Sequence, residues 1–499
     1  MYPEAVILLR FSGDLSTKSR ATWRRMVDRL VRNLEDALAS EGIEAEVRRT
    51  RNRIYVDADT PEAADVLGRV FGLQSLSPLE ERTPEEMPAI VAAGEALFRE
   101  RVAGRRFAVR ARRVGGRRDG EIRSVEVERE LGAALLPHAA GVDLGNPEVV
   151  ARVELCEGEA YLFGEHRPAP GGLPLGVEGR AVALVSGGFD SAVAAWHMLK
   201  RGVSLDHVFC NLGGASHELG TLRVMKEIAD HWSYGDRPIF HGVDFAALLD
   251  EIRAKTEQKY WQILLKRLML RAAEAVAVER RCAAIVTGEA IGQVSSQTLT
   301  NLGVISQATR LPILRPLVTC NKEEIIAQAR TIGTYDLSKV VGEYCAIVPR
   351  RPATSASLGV VLREEEKIDL SLLEVALAER RILDLRDLSL DALALPELET
   401  TTIPAGAVVI ALQPKSVFAQ WHWPDAARLD FAEALRVFPS MDKSREYALY
   451  CEFGLMSAHL AEMMQREGLN ARHIRGGLRA VKNLAATTSP VGPEGRRDS

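Results

Sequence analysis

Two rhythms of apolar and polar residues run along this chain, and the changes of rhythm mark its elements. Residues 4–10 (EAVILLR) form a short apolar run suited to a buried strand. From Thr17 to Ser40, Trp23, Met26, Val27, Leu30, Val31, Leu34 and Leu38 recur at helical spacing, leaving Lys18, Arg20, Arg24, Arg25, Arg29 and Arg32 on the other face. Strands are expected at 45–49 and 53–58, closing a first small α/β module over residues 1–60. A second module, 61–165, combines helices near 61–71, 84–103 and 124–138 with strands at 106–112 and 149–155. Three Pro and four Gly in HRPAPGGLPLGVEGR mark residues 166–180 as a linker.

Over residues 181–357 apolar runs and helical patterns alternate. The runs are AVALV at 181–185, HVFCNL at 207–212, PIFHGVDF at 238–245, CAAIVTGEA at 282–290 and LPILRPL at 311–317, with a long helix at 255–280. This alternation predicts a doubly wound parallel sheet, whose ligands sit beyond the C-terminal ends of the strands. An acidic, Leu-rich stretch (358–395) reads as a helical connector. A last α/β domain (396–484) has strands AVVIAL and EYALYC and a helix near 457–468, and residues 485–499 read as a disordered tail. The expected class is multidomain α/β, in keeping with 499 residues, more than one core accommodates.

Charge changes this picture locally. The net charge of -4 excludes a uniformly basic nucleic-acid binder. Between Arg101 and Arg129, however, ten Arg face four acids, and guanidinium groups bind phosphate bidentately, so Arg105, Arg106, Arg110, Arg112, Arg113, Arg117 and Arg118 are candidate RNA contacts. The chain shows no run of 18 apolar residues and no signal-peptide pattern at its start, so a cytoplasmic protein without membrane attachment is expected. Its six cysteines include no CxxC, which argues against a disulfide framework, zinc or an iron–sulfur cluster, and no dedicated metal site is expected.

The chemistry centres on SGGFDS, residues 186–191, between a strand and a helix. Adjacent glycines permit a sharp turn, and the helix N-terminus offers unpaired N–H groups to an anion. A Walker loop would need Lys then Ser or Thr after its second Gly, and Phe189, Asp190 and Ser191 stand there instead. Asp190 needs a mediator to face phosphate, since two anions repel. A second candidate is Cys451, opening CEFGLMS after the strand EYALY and before a helix, a placement that stabilises a thiolate.

SGGFDS resembles the PP-loop signature SGGxDS of ATP pyrophosphatases, which adenylate a carbonyl oxygen and release pyrophosphate. FAVRARR, VEVERELG and NPEVVARVEL resemble a THUMP RNA-binding domain, with a ferredoxin-like domain before it. With GEAIGQVSSQTLTNL, LKRLMLRAA, NLGGASHELG, LRPLVTCNKEEI and GEYCAIV, the whole chain is similar to the 4-thiouridine synthase family. That resemblance implies ATP, with Mg²⁺, held by Ser186, Gly187, Gly188, Phe189, Asp190 and Ser191. Leu184, Val185, Gly288 and Gln297 would line the nucleotide, and Lys266 and Lys322 would supply positive charge.

CEFGLMS resembles the active-site loop of rhodanese domains, implying a persulfide on Cys451, although Ala411 and Gln413 stand where a rhodanese would carry Asp-x-Arg. The family resemblance further implies Cys345 as resolving thiol in a Cys345–Cys451 disulfide. Cys320 is a weaker rival, and Cys156, Cys210 and Cys282 read as structural. Implied partners are tRNA thiolated at uridine 8, a cysteine desulfurase, a thioredoxin-like reductant and a thiazole-pathway sulfur-carrier protein for thiamine; a homodimer stays open. Two alternatives remain at this stage: sulfur transfer mainly to the carrier protein, or an RNA-binding protein with a degenerate nucleotide site.

Overall fold

The computed structural model describes residues 5–50, 52–115, 121–341, 351–389, 397–452 and 454–488. The chain divides into two compact units, Met1–Gly179 with Leu199–Ser204 and His231–Asp236, and the remainder from Arg180 to Ser499.

In the first unit, β1 (Ala5–Phe11) is followed by helix α1 (Arg20–Ser40), β2 (Ala45–Arg49), β3 (Ile54–Ala58) and β4 (Leu73–Leu79). Ser19 caps α1 by accepting the Thr22 N–H, and the apolar stripe Met26, Leu30, Leu34 and Leu38 packs on Ile7, Leu9, Ile54 and Val56. Strand β4 pairs antiparallel with β1, so this sheet extends past the boundary expected at residue 60. Its sequence LQSLSPL hides it, because Ser75 and Ser77 occupy buried positions and Ser77 Oγ accepts from Arg10 Nη1 at 3.0 Å.

The second sheet comprises β5 (Glu81–Pro84), β6 (Arg106–Arg113), β7 (Gly141–Val142), β8 (Val149–Cys156) and β9 (Glu159–Phe163), in the order β5-β9-β8-β6-β7. Helices α2 (Met87–Val102) and α3 (Ser124–Leu135) cover it, burying Ile90, Phe98, Val127 and Leu131. The supposed linker contributes β10 (Arg167–Pro168), which pairs with β4.

The second unit carries β11 (Arg180–Leu184), α4 (Phe189–Lys200), β12 (Ser204–Asn211), α5 (Ala215–Trp232), β13 (Ile239–Asp244), α6 (Ala246–Lys255), α7 (Trp261–Glu279), β14 (Ile285–Val286), α8 (Leu299–Ser306), β15 (Ile313–Leu314) and α9 (Lys322–Thr331). Strand order β15-β14-β11-β12-β13 puts the SGGFDS loop at the C-terminal end of β11, with helices on the faces. The long helix expected at 255–280 is broken: α6 ends at Lys255, and Thr256 accepts the Trp261 indole N–H at 3.2 Å at the start of α7.

The connector is built into this layer. Helices α10 (Leu358–Glu365) and α11 (Ser371–Ala378) precede β16 (Arg381–Asp384), an antiparallel edge strand on β13. Glu365 pairs with the buried Arg267 at 2.8 Å and with Arg271 at 3.0 Å.

The C-terminal sheet has the order β17-β21-β20-β18-β19, from β17 (Glu399–Thr400), β18 (Val408–Leu412), β19 (Ala427–Leu429), β20 (Glu446–Cys451) and β21 (Asn470–Ile474). All its strand pairings are parallel among the described residues. Helix α12 (Leu455–Arg466) follows β20, and α13 (Gly477–Thr488) runs four residues into the expected tail, where Ala485 and Ala486 favour helix. The tail beyond 488 lies outside the described residues. Among the described residues, no helix is long and apolar enough to cross a membrane.

Candidate functional site

At the end of β11 the chain turns through Gly187, whose φ of +75° suits a residue without a Cβ. A Cβ there would fall 2.9 Å from Thr221 Oγ1 on α5 and 2.9 Å from Val341 Cγ1, so the loop lies tightly against both. Ser191 closes the turn: its hydroxyl accepts the Ser186 N–H at 3.3 Å and donates to the Gly188 carbonyl at 3.0 Å. Gly288 is pressed against the first turn of α4, where a Cβ would lie 2.7 Å from the Asp190 carbonyl oxygen.

Asp190 and Lys322, far apart in sequence, meet with Oδ1 to Nζ at 2.9 Å, and Gln293 Nε2 donates to Oδ2 at 3.1 Å. The Asp190 carboxylate is thus neutralised by an ammonium within the protein. Lys322 also sits 5.7 Å over the Phe189 ring, which stacks on Tyr335 at 5.5 Å. Leu184, Ser186, Asp190, Ser191, Lys266, Gly288 and Gln297 line one cleft. Val185 does not belong to that lining; it is buried in the sheet, its N–H bonded to the Val208 carbonyl at 3.0 Å.

Glu289, which sequence reasoning passed over, organises the cleft wall. Its carboxylate takes Lys266 Nζ at 2.8 Å, Arg315 Nε at 2.8 Å and the Thr287 hydroxyl at 3.1 Å. Burial opposes its ionisation, yet the two cations hold its pKa below the usual carboxylate range. Lys266 is therefore fixed in place, and Gln297 Oε1 lies buried without a hydrogen-bond partner among the described residues, an acceptor left for a ligand's N–H.

Cys451 ends β20 wholly buried. The Gly454 N–H points at its Sγ from 3.1 Å and the Ser457 hydroxyl from 3.5 Å, both at the head of α12. The loop is backed by Gly477, where a Cβ would lie 2.6 Å from the Glu452 carbonyl oxygen and 2.8 Å from Gly454 N. Arg223, on α5, is within electrostatic reach of Cys451 and Glu399. Cys345 lies outside the described residues. Burial pushes the thiols of Cys156 and Cys210 up and that of Cys282 up to about 11, which fits buried packing residues.

In the first unit, Arg110 and Arg112 on β6 line a cavity of ≈ 480 Å³ with Arg10, Arg53, Arg152 and His166. Glu154 at its floor pairs with Arg10 at 3.1 Å and Arg53 at 2.5 Å. Of the other Arg singled out, Arg113 does not face this cavity: it is captured by Glu85 and Glu121 within its own domain. Arg106 pairs with Asp143 at 3.0 Å, Arg105 lines a separate cleft beside Arg101, and Arg117 and Arg118 lie outside the described residues.

Three family models match the chain: "Thiamine biosynthesis protein (ThiI)" over residues 176–370, "ThiI ferredoxin-like domain" over 6–77 and "THUMP domain" over 84–165. A tRNA sulfurtransferase of Pyrobaculum aerophilum is 36% identical over 483 residues, which are 95% of this chain and 98% of the relative. The chain belongs to the tRNA sulfurtransferase family. Another member, from Shewanella loihica, is 33% identical, covering 92% of this chain and 97% of its own length. The crystal structure of a 4-thiouridine synthetase–RNA complex with bound ATP matches with a TM-score of 0.66 at 30% identity, over 76% of this chain and 99% of that one.

Within this tRNA sulfurtransferase architecture the chain has ferredoxin-like, THUMP and PP-loop domains and a C-terminal α/β domain built on a parallel five-stranded sheet. What sequence reasoning missed were the partners of its candidates. Glu289, Gln293 and Arg315 stand inside the strings already singled out, whereas Arg10 on β1 and Arg152 on β8 reach the basic cavity from strands with no local charge cluster to announce them, and Arg53 comes from the loop before β3.

Proposed function

We propose that this protein thiolates a uridine of tRNA, at position 8, to 4-thiouridine. The observation that carries the reading is a cysteine sulfur held by N–H and O–H donors at a helix head, in a chain whose other catalytic layer is a PP-loop cleft. Uracil O4 attacks the α-phosphorus of ATP, and pyrophosphate leaves toward Lys322 and the loop N–H groups. Lys266, steadied by Glu289, faces the phosphates, and Gln297 accepts from the adenine amine. Asp190, the carboxylate on the loop, would hold a Mg²⁺ carried on the triphosphate, whose charge would offset that of the departing pyrophosphate.

AMP is then the leaving group that a bare carbonyl oxygen lacks. The terminal sulfur of a Cys451 persulfide attacks C4, the C4–O bond breaks, and AMP departs. The Cys345 thiolate attacks Cys451 Sγ; the S–S bond breaks, a Cys345–Cys451 disulfide forms and the base keeps its sulfur as the thiocarbonyl. Two electrons from a thioredoxin-like dithiol restore both thiols, and a pyridoxal-phosphate cysteine desulfurase reloads Cys451. Basic side chains around the first unit's cavity, Arg110 and Arg112 among them, hold tRNA phosphates.

The same persulfide serves a thiazole-pathway carrier protein, a reading favoured by the thiamine description of the family matched over 176–370. Incubation with unmodified tRNA, ATP, cysteine and a desulfurase is expected to give the near-ultraviolet absorbance of 4-thiouridine with one AMP per sulfur. AMP formation indifferent to tRNA would sink the assignment. Deletion of residues 1–165 is expected to abolish tRNA thiolation and spare thiamine-independent growth.

A further inference from the structure

Helix α5 touches both chemical sites. Its Thr221 packs against Gly187 of the PP-loop, and His217 hydrogen-bonds the backbone of Ser186. At its first turn, Glu462 from the middle of α12, the helix that begins at the Cys451 loop, accepts the Ala215 N–H at 3.1 Å, the Ser216 N–H at 3.0 Å and the Ser216 hydroxyl at 2.5 Å. Arg466, one turn further along α12, pairs with the same carboxylate at 2.8 Å. Glu462 and Ser216 are both buried.

This contact is built rather than incidental. A helix N-terminus leaves N–H groups unpaired and carries partial positive charge, and in most proteins a nearby residue of the same chain segment satisfies them. Here the cap comes from 246 residues away, in another domain. The approach also requires Gly214, with φ of +86°, because a Cβ there would lie 2.1 Å from Glu462 Oε1. Seven residues on from Ser216, Arg223 comes within electrostatic reach of Cys451.

We infer that Glu462 is a positioning residue that docks the cysteine-bearing domain on the first turn of α5, so that the sulfur delivered from Cys451 and the base activated at the PP-loop are held on one helix. The inference rests on the thiolation reading above and adds a requirement to it. Neither loading of Cys451 nor tRNA-dependent adenylation at the loop needs the cysteine-bearing domain docked on α5; the handover between them does.

The test separates these steps in the full-length protein. In Glu462→Gln, persulfide-dependent 4-thiouridine formation is expected to fall about tenfold in kcat, the scale of losing a charge-assisted cap. Labelling of Cys451 by ³⁵S from cysteine and desulfurase, and tRNA-dependent AMP formation with hydrosulfide as a freely diffusing sulfur source, are expected to match the unsubstituted protein. Ser216→Ala, which removes only the hydroxyl bond, should show the same split with a smaller loss. Unimpaired persulfide-dependent turnover in Glu462→Gln would overturn the inference. So would equal losses in all three assays, which would make Glu462 a general stability residue. If the unsubstituted protein itself made no 4-thiouridine, the thiolation reading would fail first, and the two failures are thereby told apart.

Discussion

At the residue scale, the nucleotide cleft is controlled by two carboxylates, each tied to cations. Asp190 joins Lys322 at 2.9 Å, so the two residues, named separately from the sequence, act as a pair. Asp190→Ala frees Lys322 to swing, and Lys322→Ala leaves Asp190 facing the triphosphate unscreened. Each single variant is expected to lose AMP formation by about two orders of magnitude, while the double variant loses little more, since residues acting as a unit are not additive. Additive losses in tRNA-dependent AMP release would refute the pairing. Glu289→Gln acts differently, leaving Lys266 and Arg315 close together without their shared counter-charge. Denaturant unfolding should show a loss of about 1–3 kcal/mol, and the KM for ATP should rise. Neither pairing was visible from the sequence, because ion pairs between residues 132 and 26 positions apart leave no local pattern.

At the scale of elements, the parts fixed by local chemistry were legible and the parts fixed by distant contacts were not. The α1 stripe, the strand-loop-helix at SGGFDS and the strand before Cys451 all follow from periodicity and glycine placement. Strand β4 was not, since its inward serines are satisfied by Arg10 rather than by apolar packing, and β16 was not, since it is an edge strand that reads as part of a helical stretch. Glycines show which close approaches the folded elements demand. At Gly477, φ is +60° and a Cβ would fall 2.6 Å from the Glu452 carbonyl oxygen and 2.7 Å from that of Cys451. Gly477→Ala is therefore expected to push the Cys451 loop away from the head of α13 and abolish ³⁵S loading, while AMP formation at the PP-loop, on another sheet, continues. Normal loading in this variant would mean that the loop tolerates displacement and that the N–H donor at Gly454 is dispensable.

At the scale of the whole molecule, net charge conceals how unevenly charge and protons are handled, and acid is the probe that exposes it. His207, His217, His241 and His459 lie in the second unit, and burial lowers each to about 4. In the unfolded chain the same imidazoles titrate near the ordinary 6.5. Between those values the unfolded state binds protons that the native state refuses, so stability is complete above about pH 6.5 and declines as pH falls toward 4. The slope is about 1.4 kcal/mol per pH unit for each histidine. The buried carboxylates Glu289 and Glu365, held below the usual 4.5 by their cation partners, push the same way only at lower pH. The loss between pH 6.5 and 5 therefore belongs to the histidines. Thermal midpoints at pH 7.5, 6.5, 5.8 and 5.0 should be level between the first two and then fall steadily. His241→Gln, which removes one of the four titrating rings, should flatten that fall by about a quarter. A midpoint unchanged down to pH 5 would mean that these rings are protonated in the native state, and with it would go the account of the central parallel sheet of the second unit as a dry core from which the nucleotide loop is hung.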